Sequence, residues 1–271
     1  MTTATHAHAG PHHPYLDPPG GFVALAHRGF SVDGLENSLA AFGAAVDLGF
    51  RYVETDAHAT ADGVAVALHD ATLDRTTDGS GAISALPWRR VRGARIGGVE
   101  PVPQLEDVLG TWPGLRVNVD VKAAAAVGPV AAAIERTRAH DRVCVTSFSA
   151  RRRRATLARL SRRVATSAGR PEVVAAVLGA RSGRGGVRAV RGALRGVDCV
   201  QVPEQQGVVR VVDARFVDAV HAAGRQVHVW TVNEQADMER LLDLGVDGLV
   251  TDRADVLRAV LVRRGLWRGA V

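Results

Sequence analysis

The sequence has few cysteines: only Cys144 and Cys199 occur among its 271 residues. Two cysteines exclude a fold held together by a framework of disulfides. Both lie in apolar runs, RVCVTSF and VDCVQV, which is typical of unreactive buried thiols. The overall composition, 46% hydrophobic and 23% charged, is that of a globular chain with a large core.

Long hydrophobic runs are also missing. The most apolar stretch, residues 123–134, is broken by Gly128 and Pro129 and falls short of the roughly 18 residues that a membrane-spanning helix needs. We therefore expect no stable insertion into a membrane.

The first twenty residues contain no Lys, no Arg and no apolar block, so they lack both the charged part and the apolar part of a signal peptide. We expect a cytoplasmic protein with a disordered leader over residues 1–21.

Histidine is frequent in this leader, which contains His6, His8, His12 and His13. Four imidazoles could bind a metal ion, but a segment without a scaffold holds them at no fixed distance from one another. A solvated tail is the favoured interpretation.

Lysine is almost absent, because Lys122 is the only one among 34 basic residues. The net charge of +6 and the pI of about 10.4 favour anionic partners, which include phosphorylated metabolites, nucleic acid and lipid surfaces. The abundance of Arg, Ala, Val and Gly suggests a coding bias that would replace any indifferent lysine by arginine. Lys122 is therefore a candidate for a position where only lysine functions, with chance retention as the alternative.

Short β-branched runs alternate with longer segments of helical spacing, a pattern typical of repeated βα units. Strands are predicted at residues 22–26, 52–57, 116–121, 142–146, 163–167, 197–202, 226–232 and 248–251. Helices are predicted at residues 38–48, 127–139, 151–160, 171–179, 213–222, 234–244 and 254–263. Eight strands in about 250 residues favour one α/β domain over residues 22–271, a closed (β/α)8 TIM barrel rather than an open doubly wound sheet.

One connection is far longer than the others, the one between the second and third predicted strands. It contains two short alternating runs, GVAVALHD and GAISAL, and a short helical pattern over residues 104–109. A structureless loop of such length is uncommon inside a domain, so we predict a compact inserted cap over about residues 58–103. Residues 179–196 are predicted to form a second, loosely structured loop with an arginine-rich helix.

Several predicted strands end in polar residues. In α/β barrels the functional groups lie at the C-terminal ends of the strands. Glu54 and Asp56 are two residues apart on the second strand, so both side chains project from one face. Asp120 and Lys122 are related in the same way on the third strand. Three inward carboxylates repel one another unless a cation neutralises them. A hard divalent cation, Mg²⁺ or Ca²⁺, suits such a set of oxygens, and pairing with buried arginines is the alternative.

Two histidines accompany the carboxylates. His27 ends the first predicted strand, and His69 lies early in the insertion, where a short strand could bring it over the mouth of the barrel. Since the pKa of histidine lies nearest neutrality, two histidines flanking a phosphate could act as general acid and general base. Each of them taken alone is more often a structural residue. His58, two residues after Asp56, fits a site residue and loop packing equally well.

The motifs, in their order along the chain, resemble those of the glycerophosphodiester phosphodiesterases, whose barrel is also seen in phosphatidylinositol-specific phospholipases C. The matching segments run from residue 24 to residue 257 and read AHRGFSVDGLENSLAAF, FRYVETDAHATADGVAVALHDATLDRTTDGSG, PQLEDVL, NVDVK, VHVWTVN and GVDGLVTDRADVL. They cover most of the chain, and the joint match is highly specific.

The resemblance implies catalytic and metal-binding roles. His27 and His69 match the catalytic acid and base pair, without indicating which is which. Glu54 and Asp56 match two metal ligands, and Asp120 stands at the third, where the family commonly has glutamate in an E-x-K pattern. The shorter side chain could shift the ion or admit a bridging water. Related sphingomyelinase D-like enzymes resemble this chain in using Asp-x-Lys there, so the difference bears on metal preference more than on activity.

The resemblance also implies contacts with the substrate. Arg28 looks like a phosphate ligand, and Lys122 matches the lysine of the family that lies near the phosphate. Glu36 matches a residue at the edge of the site, Trp230 would form an apolar wall, and Asn233 would help to shape the same end. The insertion would be the small cap that holds the glycerol end of the substrate.

The expected function is therefore metal-dependent hydrolysis of a small-molecule glycerophosphodiester to sn-glycerol 3-phosphate and an alcohol. A lysophospholipid or a sphingomyelin-type lipid is the alternative substrate. A basic protein that binds nucleic acid or anionic lipid through Arg151–Arg154 is a further alternative, but no aromatic residues interleave with these arginines. We expect a solvated helical turn there and no nucleic-acid partner. The sequence does not indicate the oligomeric state.

Overall fold

Eight parallel strands form the centre of the computed structural model, which describes residues 13–18, 20–31, 34–183 and 185–268. The strands are β1 Val23–His27, β2 Tyr52–Ala59, β3 Arg116–Val121, β4 Val143–Thr146, β5 Ala165–Thr166, β6 Cys199–Pro203, β7 Gln226–Trp230 and β8 Gly248–Thr251. Each coincides with a predicted strand, although several ends differ by one or two residues.

The strands close into a barrel. Neighbours follow the order β5, β4, β3, β2, β1, β8, β7, β6, and a parallel bridge between Ser167 and Cys199 joins the two ends of the sheet. The predicted (β/α)8 TIM barrel is thereby confirmed. In register, His27 lies opposite Glu54, and Asp56 lies opposite Asp120. This register brings polar side chains from three adjacent strands to one end of the barrel.

Helices cover the outside of the barrel and pack their apolar faces against it. They are Leu39–Asp47, Leu105–Thr111, Val127–Arg136, Ala150–Leu157, Arg170–Arg181, Gly186–Ala193, Ala214–Ala222, Gln235–Asp243 and Ala254–Arg263. Ser38, Ser149 and Asp213 begin three of these helices by accepting a hydrogen bond from a backbone N–H three residues further on. Among the described residues, no helix has both the length and the apolar composition needed to cross a membrane.

The insertion forms a compact unit at the C-terminal end of β2. It begins after Ala59, because β2 runs two residues further than expected and pairs there with the antiparallel strand Ala65–Ala67. Its other elements are the strands Arg95–Ile96 and Glu100–Pro101, the helix Trp88–Val91 and the 3-10 turn Ile83–Ala85. It buries a small core of its own, made of Val66, Leu68, Leu73, Ile83, Val91, Ala94, Ile96 and Val102.

The described part of residues 179–196 is more ordered than the sequence suggested. The two helices Arg170–Arg181 and Gly186–Ala193 meet at Gly179, where an added Cβ would lie 3.1 Å from Val190 Cγ2. Val190 and Leu194 are fully buried. The predicted arginine-rich helix is present as Gly186–Ala193. The expectation of a loosely structured loop around it is wrong, because glycine lets the two helices pack closely and bury these side chains.

Short elements complete the connections. The 3-10 turns Ala124–Ala126 and His140–Arg142 precede a helix and β4 respectively. A two-stranded antiparallel hairpin, Gln205–Gln206 with Val209–Arg210, follows β6.

Part of the expected disordered leader is folded. Residues 1–12 and 19 lie outside the described residues, but Pro14–Leu16 forms a 3-10 turn in which Tyr15 is fully buried. The ring of Tyr15 meets that of Tyr52 edge to face at 5.2 Å, and the Tyr52 hydroxyl donates a hydrogen bond to the Tyr15 carbonyl at 2.6 Å. The expectation of disorder is wrong for this turn, because Tyr15 and Leu16 join the apolar side chains inside the barrel.

Of the leader histidines considered as metal ligands, His6, His8 and His12 lie outside the described residues. His13 is buried, and its Nδ1 accepts a hydrogen bond from the Tyr15 backbone N–H at 3.2 Å. It therefore helps to fix the turn that enters the barrel.

Two further expectations concern buried groups. Cys144 and Cys199 are fully buried free thiols, which confirms their predicted burial. The expectation of a solvated turn at Arg151–Arg154 is wrong for Arg153, which is buried and donates to Glu172 at 3.0 Å. The carboxylate compensates the charge of this arginine inside the fold.

Replacing Tyr15 by alanine should lower the free energy of unfolding by about 3 kcal/mol, because the change empties a buried aromatic site inside the barrel. Denaturant titration measures the effect. Val99→Ala, which trims a side chain that is 64% exposed, is the control and should change stability little. An unchanged unfolding curve for Tyr15→Ala would mean that the turn does not stabilise the barrel.

Candidate active site

A cavity of about 570 Å³ opens where the barrel strands end. Eight of the ten site residues predicted from the sequence line it, namely His27, Arg28, Glu54, Asp56, His69, Asp120, Lys122 and Trp230. The other two, Glu36 and Asn233, are not among its lining residues, but each contacts a side chain that belongs to the site or supports it.

The backbone turns sharply after β1 and thereby directs Arg28 toward β2. Arg28 has a left-handed conformation with φ of 56°, and Gly29 follows with φ of 86°. A Cβ on Gly29 would lie 2.6 Å from the carbonyl carbon of Ala41, so this position requires glycine. The turn allows Arg28 Nε to reach Asp56 Oδ2 at 3.0 Å.

Asp56 is the most enclosed of the three carboxylates, with a side chain only 2% exposed. Its Oδ1 lies 2.8 Å from Lys122 Nζ, and its Oδ2 accepts a hydrogen bond from Asn37 Nδ2 at 3.3 Å in addition to the contact with Arg28. Burial by itself would raise the pKa of Asp56, but the charges of Lys122 and Arg28 outweigh burial and hold it below its ordinary value. Asp56 is therefore an anion that fixes two cations at the floor of the cavity.

Lys122 also contacts Asp120, with 2.8 Å between Nζ and Oδ2. Burial lowers the pKa of Lys122, but the charges of Asp120 and Asp56 outweigh it, and the pKa is raised overall. Asp120 shows the opposite balance to Asp56: burial raises its pKa despite the nearby ammonium group. The difference has a structural reason, because Asp56 has three polar partners, whereas Asp120 Oδ1 is buried without a hydrogen-bond partner in the described structure.

Glu54, like Asp120, has a carboxylate oxygen without a hydrogen-bond partner within the described ranges. Its Oε2 is buried without a hydrogen-bond partner among the described residues. Burial and the negative charge of Asp56 raise the pKa of Glu54 to about 8. A buried carboxylate oxygen without a hydrogen-bond partner is costly, and this cost falls on Glu54 Oε2 and on Asp120 Oδ1, although the other oxygen of Asp120 contacts Lys122.

These two oxygens bear on the predicted metal site. A hard divalent cation binds carboxylate oxygens and would satisfy both unpartnered atoms, so Glu54 and Asp120 fit such an ion. In the described ranges, however, no three His, Cys, Asp or Glu side chains are grouped as a ready site for a metal ion. Asp56 already binds two cationic side chains in this geometry. The predicted set of Glu54, Asp56 and Asp120 shares one cavity, and its role as a set of metal ligands stays a prediction.

His27 is oriented by a carboxylate. Its Nδ1 lies 2.6 Å from Asp252 Oδ1, and its Nε2 lies 3.8 Å from Glu54 Oε2. Burial lowers the pKa of His27, but the hydrogen bond with Asp252 and the charge of Glu54 outweigh burial and raise it above its ordinary value. Asn233 donates to Asp252 Oδ2 at 2.9 Å and accepts from its backbone N–H at 2.9 Å, so Asn233 holds the carboxylate that orients His27.

His69 has an equivalent arrangement. Its Nδ1 lies 2.6 Å from Asp70 Oδ1, and Arg75 Nε donates to Asp70 Oδ2 at 2.6 Å. Arg75 also donates to Glu36 at 2.7 Å, and Glu36 accepts from Arg28 at 3.0 Å. This chain of charged contacts links the insertion, which carries His69, to the turn after β1. Glu36 therefore connects two site residues in this structure.

The site combines two kinds of groups. Arg28 and Lys122 present positive charge at the floor, which suits a phosphoryl group. His27 and His69 each use Nδ1 to contact a carboxylate, which leaves Nε2 for proton transfer to or from a ligand in the cavity. The arrangement can therefore bind a phosphodiester and move two protons.

Sequence comparison agrees with this geometry. The family model of the glycerophosphoryl diester phosphodiesterases matches residues 27–256 of the chain. The chain belongs to this family. "Probable glycerophosphodiester phosphodiesterase 2" of Mycobacterium tuberculosis is 51% identical over 252 residues, which are 93% of this chain and 95% of that protein. A glycerophosphodiester phosphodiesterase of Caldanaerobacter subterraneus is 29% identical over 259 residues, 90% of this chain and 98% of that protein.

Solved structures share the fold of this glycerophosphoryl diester phosphodiesterase family member. A glycerophosphodiester phosphodiesterase from Agrobacterium tumefaciens has a TM-score of 0.73 and 22% identity, covering 89% of this chain and 99% of that one. An Oleispira antarctica phosphodiesterase, solved with the product sn-glycerol-3-phosphate, has a TM-score of 0.72 and 20% identity, covering 88% and 96% of the two chains. The family and the enzyme class predicted from the sequence are confirmed.

The carboxylates that orient the two histidines, Asp252 and Asp70, were not predicted from the sequence. Asp252 directly follows β8, so its place at the end of a barrel strand was a usable signal. Asp70 adjoins His69, and a His-Asp pair carries little information without the fold. His58, whose role was open, is buried and contacts the His69 carbonyl through Nε2 at 3.1 Å, so it supports the backbone of a site residue.

Replacing Asp252 by asparagine should lower kcat about 10²-fold with little change in KM, because the amide no longer stabilises and orients the imidazole of His27. Steady-state kinetics measure both constants, and Asp252→Glu should restore part of kcat. A loss confined to thermal stability, with kcat unchanged, would exclude Asp252 as a positioning residue.

Proposed function

We propose that this member of the family hydrolyses glycerophosphodiesters to sn-glycerol 3-phosphate and an alcohol, with His27 and His69 as the general acid and base. The observation that carries the proposal is a single cavity in which two cations, fixed by Asp56, lie with two carboxylate-oriented histidines. The product held by the Oleispira antarctica phosphodiesterase supports the identity of the phosphorylated product.

Binding of the phosphodiester begins with charge. The group is an anion that repels nucleophiles, and negative charge grows on its phosphoryl oxygens as the reaction proceeds. Arg28 and Lys122 are held at the floor by a buried anion, so they need no rearrangement to receive it. Prepositioned cations in a partly enclosed cavity stabilise the developing charge more than mobile ones do.

A divalent cation, Mg²⁺ or Ca²⁺, is the proposed cofactor. Glu54 and Asp120, which carry the unpartnered oxygens, would hold it, with Asp56 as the third ligand. The bound ion would supply further positive charge toward the phosphoryl oxygens.

The two histidines account for the protons. One imidazole accepts the proton of the attacking hydroxyl, which belongs to water or to the glycerol group, as its oxygen bonds to phosphorus. The other imidazole gives a proton to the alcohol oxygen as the bond between that oxygen and phosphorus breaks. The Asp252 and Asp70 contacts keep each ring in position. The hydrogen bond with Asp252 also stabilises the protonated form of His27, whose pKa is raised. If a hydroxyl of the glycerol group attacks first, the product of that step is a cyclic phosphate. Water then opens the cyclic phosphate with the same two proton transfers to and from the imidazoles.

The test is release of sn-glycerol 3-phosphate from glycerophosphocholine and glycerophosphoethanolamine by protein stripped with a chelator, with Mg²⁺ or Ca²⁺ added back. Release should depend on the added ion. His27→Ala and His69→Ala should each reduce turnover about 10²- to 10⁴-fold, because each removes a proton-transfer group.

His221→Ala is the matched control, because His221 is hydrogen-bonded to Asp247 and does not line the cavity. It should retain wild-type turnover below its melting temperature. Wild-type rates in His27→Ala or His69→Ala would remove that histidine from the mechanism. Folded wild-type protein that releases no product with either ion would contradict the proposed reaction.

A further inference from the structure

A chain of polar side chains crosses the interior of the barrel from the cavity to the leader turn. Its members lie on β3, β6 and β7 and are joined by hydrogen bonds: Asn118, Gln201, His228 and Gln226. Asn118 and Gln201 line the cavity, whereas His228 and Gln226 do not. At the far end, Gln226 Nε2 donates a hydrogen bond to the Leu16 carbonyl at 3.0 Å. The polar chain therefore connects a cavity wall to a fixed backbone group.

This backbone group sets the direction of the hydrogen bonds in the chain. A carbonyl only accepts, so Gln226 uses Nε2 there, and its Oε1 accepts from His228 Nε2 at 3.1 Å. In the neutral ring, a proton on Nε2 leaves Nδ1 as an acceptor, and Nδ1 lies 3.4 Å from Gln201 Nε2. The same Gln201 Nε2 donates to Asn118 Oδ1 at 3.1 Å. Gln201 thus uses both of its side-chain N–H groups inside the barrel.

Packing also fixes the ring of His228. The side chain is fully buried, and in the strand register it lies opposite Gln201 on one side and Gly248 on the other. A Cβ on Gly248 would lie 2.8 Å from His228 Cδ2, so glycine provides the space that the imidazole occupies. The ring therefore presents Nδ1 to Gln201 in one orientation.

Two polar atoms of the chain remain for a ligand. Gln201 Oε1 and Asn118 Nδ2 have no hydrogen-bond partner in the part of the protein that the structure describes, and both side chains line the cavity. The oxygen can accept a hydrogen bond and the nitrogen can donate one. A hydroxyl group fits these two atoms, because it both donates and accepts.

The amide pair adjoins the groups that would bind the phosphate. Asn118 lies opposite Glu54 in the strand register and two residues before Asp120, which contacts Lys122. A hydroxyl bound by the amides therefore belongs to a part of the substrate close to phosphorus. The choline of glycerophosphocholine has no N–H or O–H group, whereas the glycerol has two free hydroxyls. The hydroxyl donor that this position accepts is thus one of glycerol.

We propose that Gln201 is a specificity-determining residue, whose Oε1 accepts a hydrogen bond from a free hydroxyl of the glycerol group, and that His228 is the positioning residue that holds the amide in this orientation. Asn118 Nδ2 donates to the oxygen of the same hydroxyl. The inference rests on the proposed function, because it concerns the substrate of that same site. A phosphate ester without this hydroxyl leaves both amide atoms unpaired, so the site disfavours it.

The first measurement is the dissociation constant, by titration calorimetry, of sn-glycerol 3-phosphate and of phosphate monoesters that lack hydroxyls. Propyl phosphate lacks both hydroxyls, and the two monohydroxypropyl phosphates lack one each. Loss of the bound hydroxyl should weaken binding at least about tenfold, because polar groups left unpaired in an enclosed site are costly. The monohydroxypropyl phosphate that binds more weakly identifies the hydroxyl that Gln201 contacts.

A change at Gln201 tests the contact directly. Gln201→Met removes the amide and keeps the length of the side chain. The dissociation constant of propyl phosphate, divided by that of sn-glycerol 3-phosphate, should fall from at least about tenfold in the wild type to less than about twofold. Gln235→Met is the matched control, because Gln235 is exposed on the helix Gln235–Asp243 and does not line the cavity. It should leave this ratio unchanged.

Two changes at His228 test the positioning role. His228→Leu offers Gln201 no acceptor, so the amide can rotate, and the same ratio should fall at least about threefold. His228→Asn places an amide oxygen near the position of Nδ1 and should restore most of the ratio. Thermal melting of each variant separates this role from a purely structural one, which would lower Tm and leave the ratio unchanged. The Gln201→Met ratio decides the inference even where a His228 variant does not fold.

The outcomes separate this inference from the proposed function. If the wild-type protein cleaves glycerophosphocholine but binds propyl phosphate as tightly as sn-glycerol 3-phosphate, the inference is wrong and the proposed function stands. A ratio that persists in Gln201→Met would also overturn the inference, because other side chains would then bind the hydroxyl. If folded wild-type protein neither cleaves glycerophosphocholine nor binds sn-glycerol 3-phosphate, the proposed function fails and the inference fails with it.

Discussion

The buried carboxylate of Asp56 is the interaction on which the site depends. It lies on β2 opposite Asp120 of β3, and it contacts Lys122, which directly follows β3, and Arg28 from the turn after β1. Without this anion, two neighbouring cations would repel each other in a partly enclosed cavity. With it, three adjacent strands hold a positively charged floor in a fixed geometry, and the family relationship gives that floor a phosphodiester to bind.

The histidines depend on a second set of anions. Asp252 and Asp70 each contact an imidazole Nδ1 at 2.6 Å, and Asn233 and Arg75 hold those carboxylates in turn. One of these pairs comes from the barrel and the other from the insertion. The extension of β2 to Ala59 and its pairing with Ala65–Ala67 attach the insertion to the barrel. The length of a single strand therefore helps to set the position of His69.

Sequence patterns predicted the barrel because alternating strands and helices are local signals that repeat eight times. They also placed Glu54, Asp56, Asp120 and Lys122 on one inner surface, because side chains two residues apart share a face of a strand. The support for the histidines was not predictable in this way. Asp252 lies 225 residues from His27 along the chain, and only the closed fold brings them together.

Two other features were also not predictable from local sequence patterns, for physical reasons. Tyr15 looked like part of a polar leader, because the cavity that it fills is made by distant strands. Residues 179–196 looked loose because they are rich in glycine, but Gly179 is what permits close helix packing. Each of these depends on packing between separate elements, which the pattern within one segment does not report.

The most direct test of this account is the activity of Lys122→Arg toward glycerophosphocholine. We propose that the compact ammonium group between Asp56 and Asp120 binds the phosphate, whereas a longer, planar guanidinium would keep the charge but misplace it. A variant that melts like the wild type should lose about 10²-fold in kcat/KM, because a small displacement of a positioned group has a large effect on the rate. Full activity of Lys122→Arg would contradict the account, since the floor would then need only positive charge and no defined geometry.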